Sequence, residues 1–98
     1  MRKNKSKSAQ EFLSASLELL TERGEQYDEE GGERSMGATV TAFNAITKRD
    51  LTEAEGWLLM ELLKNVRQWQ VPEMYHQDSA EDGVSYSALK AEALSHNR

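Results

Sequence analysis

One stretch constrains the fold more than any other: Leu51-Thr52-Glu53-Ala54-Glu55-Gly56-Trp57-Leu58-Leu59-Met60-Glu61-Leu62-Leu63-Lys64-Asn65-Val66-Arg67. Leu51, Leu58, Leu62, Val66 and Trp69 recur at helical spacing, and Leu59 and Leu63 widen the stripe. An apolar stripe of that period is a helix with one face to bury. Thr52 and Glu55, three residues apart, form a capping box that sets its start. At about 100° per residue most polar side chains fall on the far side, but Glu55 and Asn65 project inside the apolar arc. A carboxylate on such a stripe has to be paired, capped or bound to something. The capping box already supplies one role for Glu55.

Three further segments show the same logic. Ser8 and Glu11 make a capping box for a helix over 9–23, with Phe12, Leu13, Leu17 and Leu20 as its buried stripe and Glu11, Glu18 and Glu22 as a solvated row. Gly24 stands where a C-terminal cap belongs. Residues 24–34 hold three glycines and five acids without a period and read as a loop. The alternating ligand pattern of a calcium loop is missing there. Ser35 caps a helix over 36–47, with Met36, Val40, Phe43 and Ile46 as its stripe. The central helix spans 52–70, because Pro72 disfavours helical geometry before it. Asp78 and Glu81 repeat the cap pattern for a last helix over 79–95. That helix carries one strip of Ala80, Val84, Ala88 and Ala91. A second strip of Tyr86, Leu89 and Ala93 has Asp82 on it.

Four capped, apolar-periodic segments with short connections predict an all-α protein, a small antiparallel helical bundle. At 98 residues one domain, 8–95, is expected behind a disordered basic tail, 1–7. Hydrophobic residues at 38% and charged residues at 30% fit a globular helical chain. Two tryptophans and several leucines on the central helix exceed what so small a core covers, so a homodimer that buries part of that helix or its neighbours is expected. A net charge of -5 argues against nucleic acid as partner. No apolar run approaches the roughly 20 residues needed to span a bilayer, and no signal-peptide core follows the basic start. With no cysteine, a thiolate site is excluded, and a cytoplasmic setting is expected.

Helical bundles hold metals on carboxylates from facing helices. The candidate ligands here are Glu55 and Glu61 on the third helix and Asp78 and Asp82 on the fourth. All-oxygen ligation suits magnesium or manganese, which clamps phosphates and activates water. Lys64 and Arg67 are the candidate phosphate-neutralising residues. His76 and His96 lack a partnering nucleophile in sequence, and Trp57 and Trp69 read as core or interface.

Three short patterns carry a resemblance: Arg23-Gly24-x-x-Tyr27, Leu62-Leu63-Lys64-x-x-Arg67, and Asp78-x-x-x-Asp82-Gly83-x-x-Tyr86-x-x-Leu89. Over residues 10–94 the chain resembles small phage-encoded proteins distantly similar to the all-α nucleotide pyrophosphohydrolases, the MazG-like superfamily. The resemblance implies a helical core, magnesium, and hydrolysis of nucleoside triphosphates to monophosphate and pyrophosphate, in the cytoplasm of the host cell. The superfamily's Glu-x-x-Glu is not matched, because Lys64 stands at the second acid's spacing from Glu61. Its Glu-x-x-Asp is replaced by Asp78 and Asp82, four apart. Two readings result: a nucleotide-phosphate-binding domain that uses magnesium, or a small acidic protein without catalysis that binds and modulates a host protein.

Overall fold

The computed structural model describes residues 6–27 and 35–96, with side chains from residue 23 to 27 left aside. The first five residues of the expected tail, and residues 28–34 of the expected acidic loop, lie outside that description. Among the described residues the chain is all-helical, a small bundle of α1 (Ala9–Tyr27), α2 (Ser35–Thr47), α3 (Glu53–Gln70) and α4 (Gln77–His96).

Two of the helix starts are the reciprocal caps expected. Ser8 N donates to Glu11 Oε1 at 2.7 Å, and Glu11 N donates to Ser8 Oγ at 3.1 Å. Thr52 N donates to Glu55 Oε1 at 2.9 Å, and Glu55 N to Thr52 Oγ1 at 3.1 Å. Each box satisfies two amides that the helix leaves unpaired and contributes about 1 kcal/mol. Two boundaries differ from expectation by two residues or more, and α2 begins at Ser35 itself, the residue expected to cap it. α1 continues through Gly24 to Tyr27, because one interior glycine costs only about 1 kcal/mol and the residues after it are competent helix formers. α4 starts two residues earlier than the Asp78 cap would place it. His76 Nδ1 accepts from Ser79 N at 3.2 Å and lies 2.6 Å from Ser79 Oγ, so His76 occupies the cap. Asp78 falls inside the first turn, where its charge suits the helix dipole.

The connections are held by two amide side chains. Asn44 Nδ2 donates to Leu51 O at 2.9 Å, and Leu51 N donates to Asn44 Oδ1 at 2.8 Å, which clamps the α2–α3 turn. Lys48 in that turn takes a positive φ of 62° and closes α2 with a left-handed residue. Gln68 does the same for the α3–α4 turn, donating from Nε2 to Met74 O at 2.6 Å and accepting from His76 N at 2.8 Å.

The helices α3 and α4 form the main packed pair, with α1 laid on α4 and α2 on α3. Lys7 meets Glu81 and Ser16 meets Ser85, so α1 advances along α4 in the same direction. The core is Ala54, Trp57, Leu89 and Ala93, with Leu20, Met36, Met60 and Tyr86 packed against it. Trp57 stacks on Tyr86 with ring centroids 5.7 Å apart and 25° between planes, a pairing that adds to the burial of both rings. α2 reaches α3 at Gly56. A Cβ built there would stand 2.5 Å from Met36 Sδ and 3.0 Å from Val40 Cγ1, so the close approach needs a residue without one.

The stripes expected to be buried are buried only in part. On α1, Leu13 and Leu17 are exposed, while Ser16 is buried. On α2, Val40 is buried but Phe43 and Ile46 are exposed. On α3, Leu58, Leu59, Leu62, Leu63, Val66 and Trp69 are all exposed, and the helix turns Trp57, Met60, Glu61, Lys64 and Gln68 inward instead. The second strip of α4 is the packed one, with Leu89 and Ala93 buried and Ala88 and Ala91 exposed. The physical reason lies in α4. Its packed face offers Asp82 and Lys90, which pair with Lys64 and Glu61, and Tyr86, which stacks on Trp57, so the polar and aromatic side of α3 turns toward it.

Candidate functional site

The candidate ligands occupy separate settings. Glu55 is exposed and closes the cap of α3. Asp78 is exposed in the first turn of α4. Glu61 and Asp82 both lie on the α3–α4 seam, and each meets a lysine. Lys64 Nζ is 3.0 Å from Asp82 Oδ2, with the side chains 12% and 30% exposed. Lys90 Nζ is 2.8 Å from Glu61 Oε1. That oxygen is otherwise enclosed and makes no directed hydrogen bond, so the nearby ammonium charge compensates it. Lys64 was a candidate phosphate ligand and Asp82 a candidate metal ligand; the fold sets them against each other. Arg67 is exposed on the flank of α3. Among the described residues no group of three or more acidic or histidine side chains is placed to hold a metal ion.

The seam is thus an interlock of opposite charges. Each helix contributes one acid and one base, Glu61 and Lys64 from α3 and Asp82 and Lys90 from α4. Crossed pairs of this kind fix register between two helices. A third pair, Lys7 with Glu81 at 2.5 Å, ties the chain just before α1 to α4. The Glu81 carboxyl is held below its ordinary value by hydrogen bonds from Lys7 first and Gln77 second. The Lys7 ammonium is raised above its ordinary value by the same contact. Between α1 and α4 the buried Ser16 and Ser85 hydroxyls share a hydrogen bond of 2.7 Å.

The surface with functional potential is the outer face of α3. Leu59 is 61% exposed, Leu62 47%, Val66 51% and Trp69 68%. At about 100° per residue these four and Leu58 fall within roughly one quarter to one third of the helix circumference, opposite the seam. Glu55 lies in the same arc at its N-terminal end, and Asn65 at its edge. The short α3–α4 turn continues the apolar surface with exposed Val71, Met74 and Tyr75. The acidic row on α1 is exposed, and Glu18 and Glu22 line a shallow open depression with Leu17. Sequence reasoning singled out the α3 leucines as a stripe to bury and expected a dimer to cover what the core could not, without saying which of them the core would take. The signal for the alternative was present in Glu61 and Lys64, whose matching partners on α4 are Lys90 and Asp82. Among the described residues no helix is long and apolar enough to cross a membrane. No protein-family model, no curated protein and no solved structure matches this chain.

Proposed function

We propose that this chain is a helical interaction module without catalysis, and that its working surface is the leucine face of α3. One contrast carries the reading. The charged residues that could have handled a metal and a phosphate, Glu61, Asp82 and Lys64, are engaged in cross-helix ion pairs. The apolar residues that would stabilise a small core, Leu59, Leu62, Val66 and Trp69, face outward. A contiguous apolar face of this kind on a small domain marks a protein-binding surface. Helical partners recognise such a face through side chains spaced three and four residues apart. The alternative, a nucleotide bound through magnesium, would require Glu61 and Asp82 to exchange Lys90 and Lys64 for a cation, leaving both ammonium groups without their partners.

Titration calorimetry with deoxynucleoside triphosphates, with and without magnesium, tests this reading. The expected result is no heat beyond dilution in either case. Saturable heat that depends on magnesium would overturn it in favour of a nucleotide-binding domain.

A further inference from the structure

Resting on the interaction reading, we propose that the occupant of the α3 face is a second copy of this chain. The two α3 helices pack antiparallel, with Leu62 of each set against Val66 of the other. The outward residues Leu59, Leu62, Val66 and Trp69 are separated by steps of three, four and three. Steps of that kind form the seam of two helices packed side by side. This series also reads the same in both directions. A copy related by a twofold axis therefore presents the matching pattern, with Leu59 opposite Trp69 at both ends and Leu62 opposite Val66 in the middle.

The orientation follows from the polar residues in the arc. A parallel pair would align the two helix dipoles and stack Glu55 on Glu55, an uncompensated like-charge contact. The antiparallel pair instead keeps the two Glu55 carboxylates at opposite ends of the seam, each level with Glu73 in the turn that follows its partner's α3, which ends at Gln70. It also brings Asn65 of both copies to the two sides of the twofold axis. A primary amide carries donors and an acceptor, so two copies satisfy each other there. A single polar residue on an apolar seam is a known means of fixing register. A different partner protein would have to supply that complement separately.

The area is adequate. Taking roughly 200 Å² for a large apolar side chain, the exposed fractions of Leu58, Leu59, Leu62, Leu63, Val66 and Trp69 sum to about 610 Å² per copy. That is about three quarters of the roughly 800 Å² each partner contributes to an ordinary stable interface and lies at the upper end of the largest patch of a monomer, about 300–600 Å².

Sedimentation of the full chain from low to high micromolar concentration is the first measurement, with a dimer expected. Leu62→Glu should weaken the dimer about 100-fold or more. Circular dichroism should stay helical, since Leu62 is half exposed and outside the core. Ile46→Glu, on the exposed part of α2, should leave the dimer intact. Orientation is read by cross-linking, and the chain has no cysteine to interfere. Leu62→Cys mixed with Val66→Cys should form a disulfide under mild oxidation faster than either variant does with itself. A chain that stays monomeric at high micromolar concentration, or a dimer that survives Leu62→Glu, overturns the proposal. Faster cross-linking of Leu62→Cys to itself overturns the antiparallel arrangement. A monomer that also gives no heat with nucleotide leaves the interaction reading standing with a different partner; magnesium-dependent heat removes that reading itself.

Discussion

The two faces of α3 differ in a direction opposite to the usual one. The face turned toward α4 carries Glu61, Lys64 and Gln68 around a single tryptophan, and the face turned away carries leucine, valine and a second tryptophan. The inner face is specific: two crossed ion pairs, one stacked ring pair and one amide clamp each demand a particular partner on α4 or its preceding turn. The outer face is apolar apart from Glu55 and Asn65 at its margins and has no partner within the described residues. The difference teaches that charge pairing and ring stacking can decide which face of a helix packs inside its own chain, leaving the more apolar face exposed. Within the chain the fold is held by geometry and charge pairing around a small core. Among the described residues no large side chain is completely buried.

The tryptophans give the sharpest way to break this comparison. Trp57 is 4% exposed and Trp69 is 68% exposed, yet both lie on α3. Trp57→Ala removes a core ring and its stack on Tyr86 and should cost about 3–5 kcal/mol in urea unfolding. Trp69→Ala, measured where the chain is monomeric, should change stability by less than about 0.5 kcal/mol. Equal losses for the two would mean that the outer face is packed against this chain after all.

Asp82→Asn tests the seam. Lys64 is largely enclosed and would lose its carboxylate, so the substitution should destabilise by about 1–2 kcal/mol. Lys64→Met combined with it should recover part of that loss, because no unpaired charge remains. The melting temperature of both the parent and the Asp82→Asn chain should ignore magnesium. A parent that magnesium stabilises while the variant is indifferent would return Asp82 to the role of metal ligand.

The glycines of the two packed helices probe the same contrast at lower amplitude. Gly83 on α4 has nothing within 4 Å of a built Cβ, whereas Gly56 on α3 is met by Met36 and Val40. Gly83→Ala should stabilise by about 1 kcal/mol through helix propensity alone. Gly56→Ala gains the same propensity and loses it to overpacking, which typically costs about 1–3 kcal/mol. Its net effect should be a small destabilisation. Urea midpoints moving in the same direction for both would show that Met36 swings aside freely and that α2 is loosely held.

Much of this was legible in the chain. Ser8 with Glu11 and Thr52 with Glu55 marked two helix starts because a capping box is a local device, complete within four residues. Helical periodicity located all four helices for the same reason. Periodicity cannot say whether the neighbour of an apolar face belongs to the same chain, so it could not tell that the α3 leucines lie outside this chain's own core. The clamps by Asn44 and Gln68 were invisible, since each depends on a side chain meeting backbone seven or eight residues away. His76 displaced Asp78 from the α4 cap because Gln68 pins the backbone before it, a tertiary effect that overrides cap preference. For the candidate site, Lys64 and Asp82 were both singled out, but as members of one ligand-binding group. Their charges were equally a reason to pair with each other, and only the antiparallel packing of α3 on α4 shows which.

The smallest expected effect concerns pH and the contact between Lys7 and Glu81. This pair lies at the rim, more exposed than the Lys64 side of the seam, and should contribute little. The carboxyl of Glu81 is lowered from 4.5 in the folded chain, chiefly by the hydrogen bond from Lys7. Its contribution is therefore complete above the unfolded value and is lost as pH falls through the folded one. The ammonium of Lys7 is raised from 10.5, so its share is complete below that value and is lost only as pH rises past the folded one. Across neutral pH neither changes. Lowering the pH from roughly 6 to 3 should therefore reduce the stability of the parent slightly more than that of Glu81→Gln, which keeps the Phe12 contact of Lys7 but cannot titrate. Urea midpoints at the two pH values measure the difference. Parallel losses would mean that the pair adds nothing beyond its hydrogen bond. A difference as large as the Asp82→Asn effect would place the rim pair on the same footing as the seam.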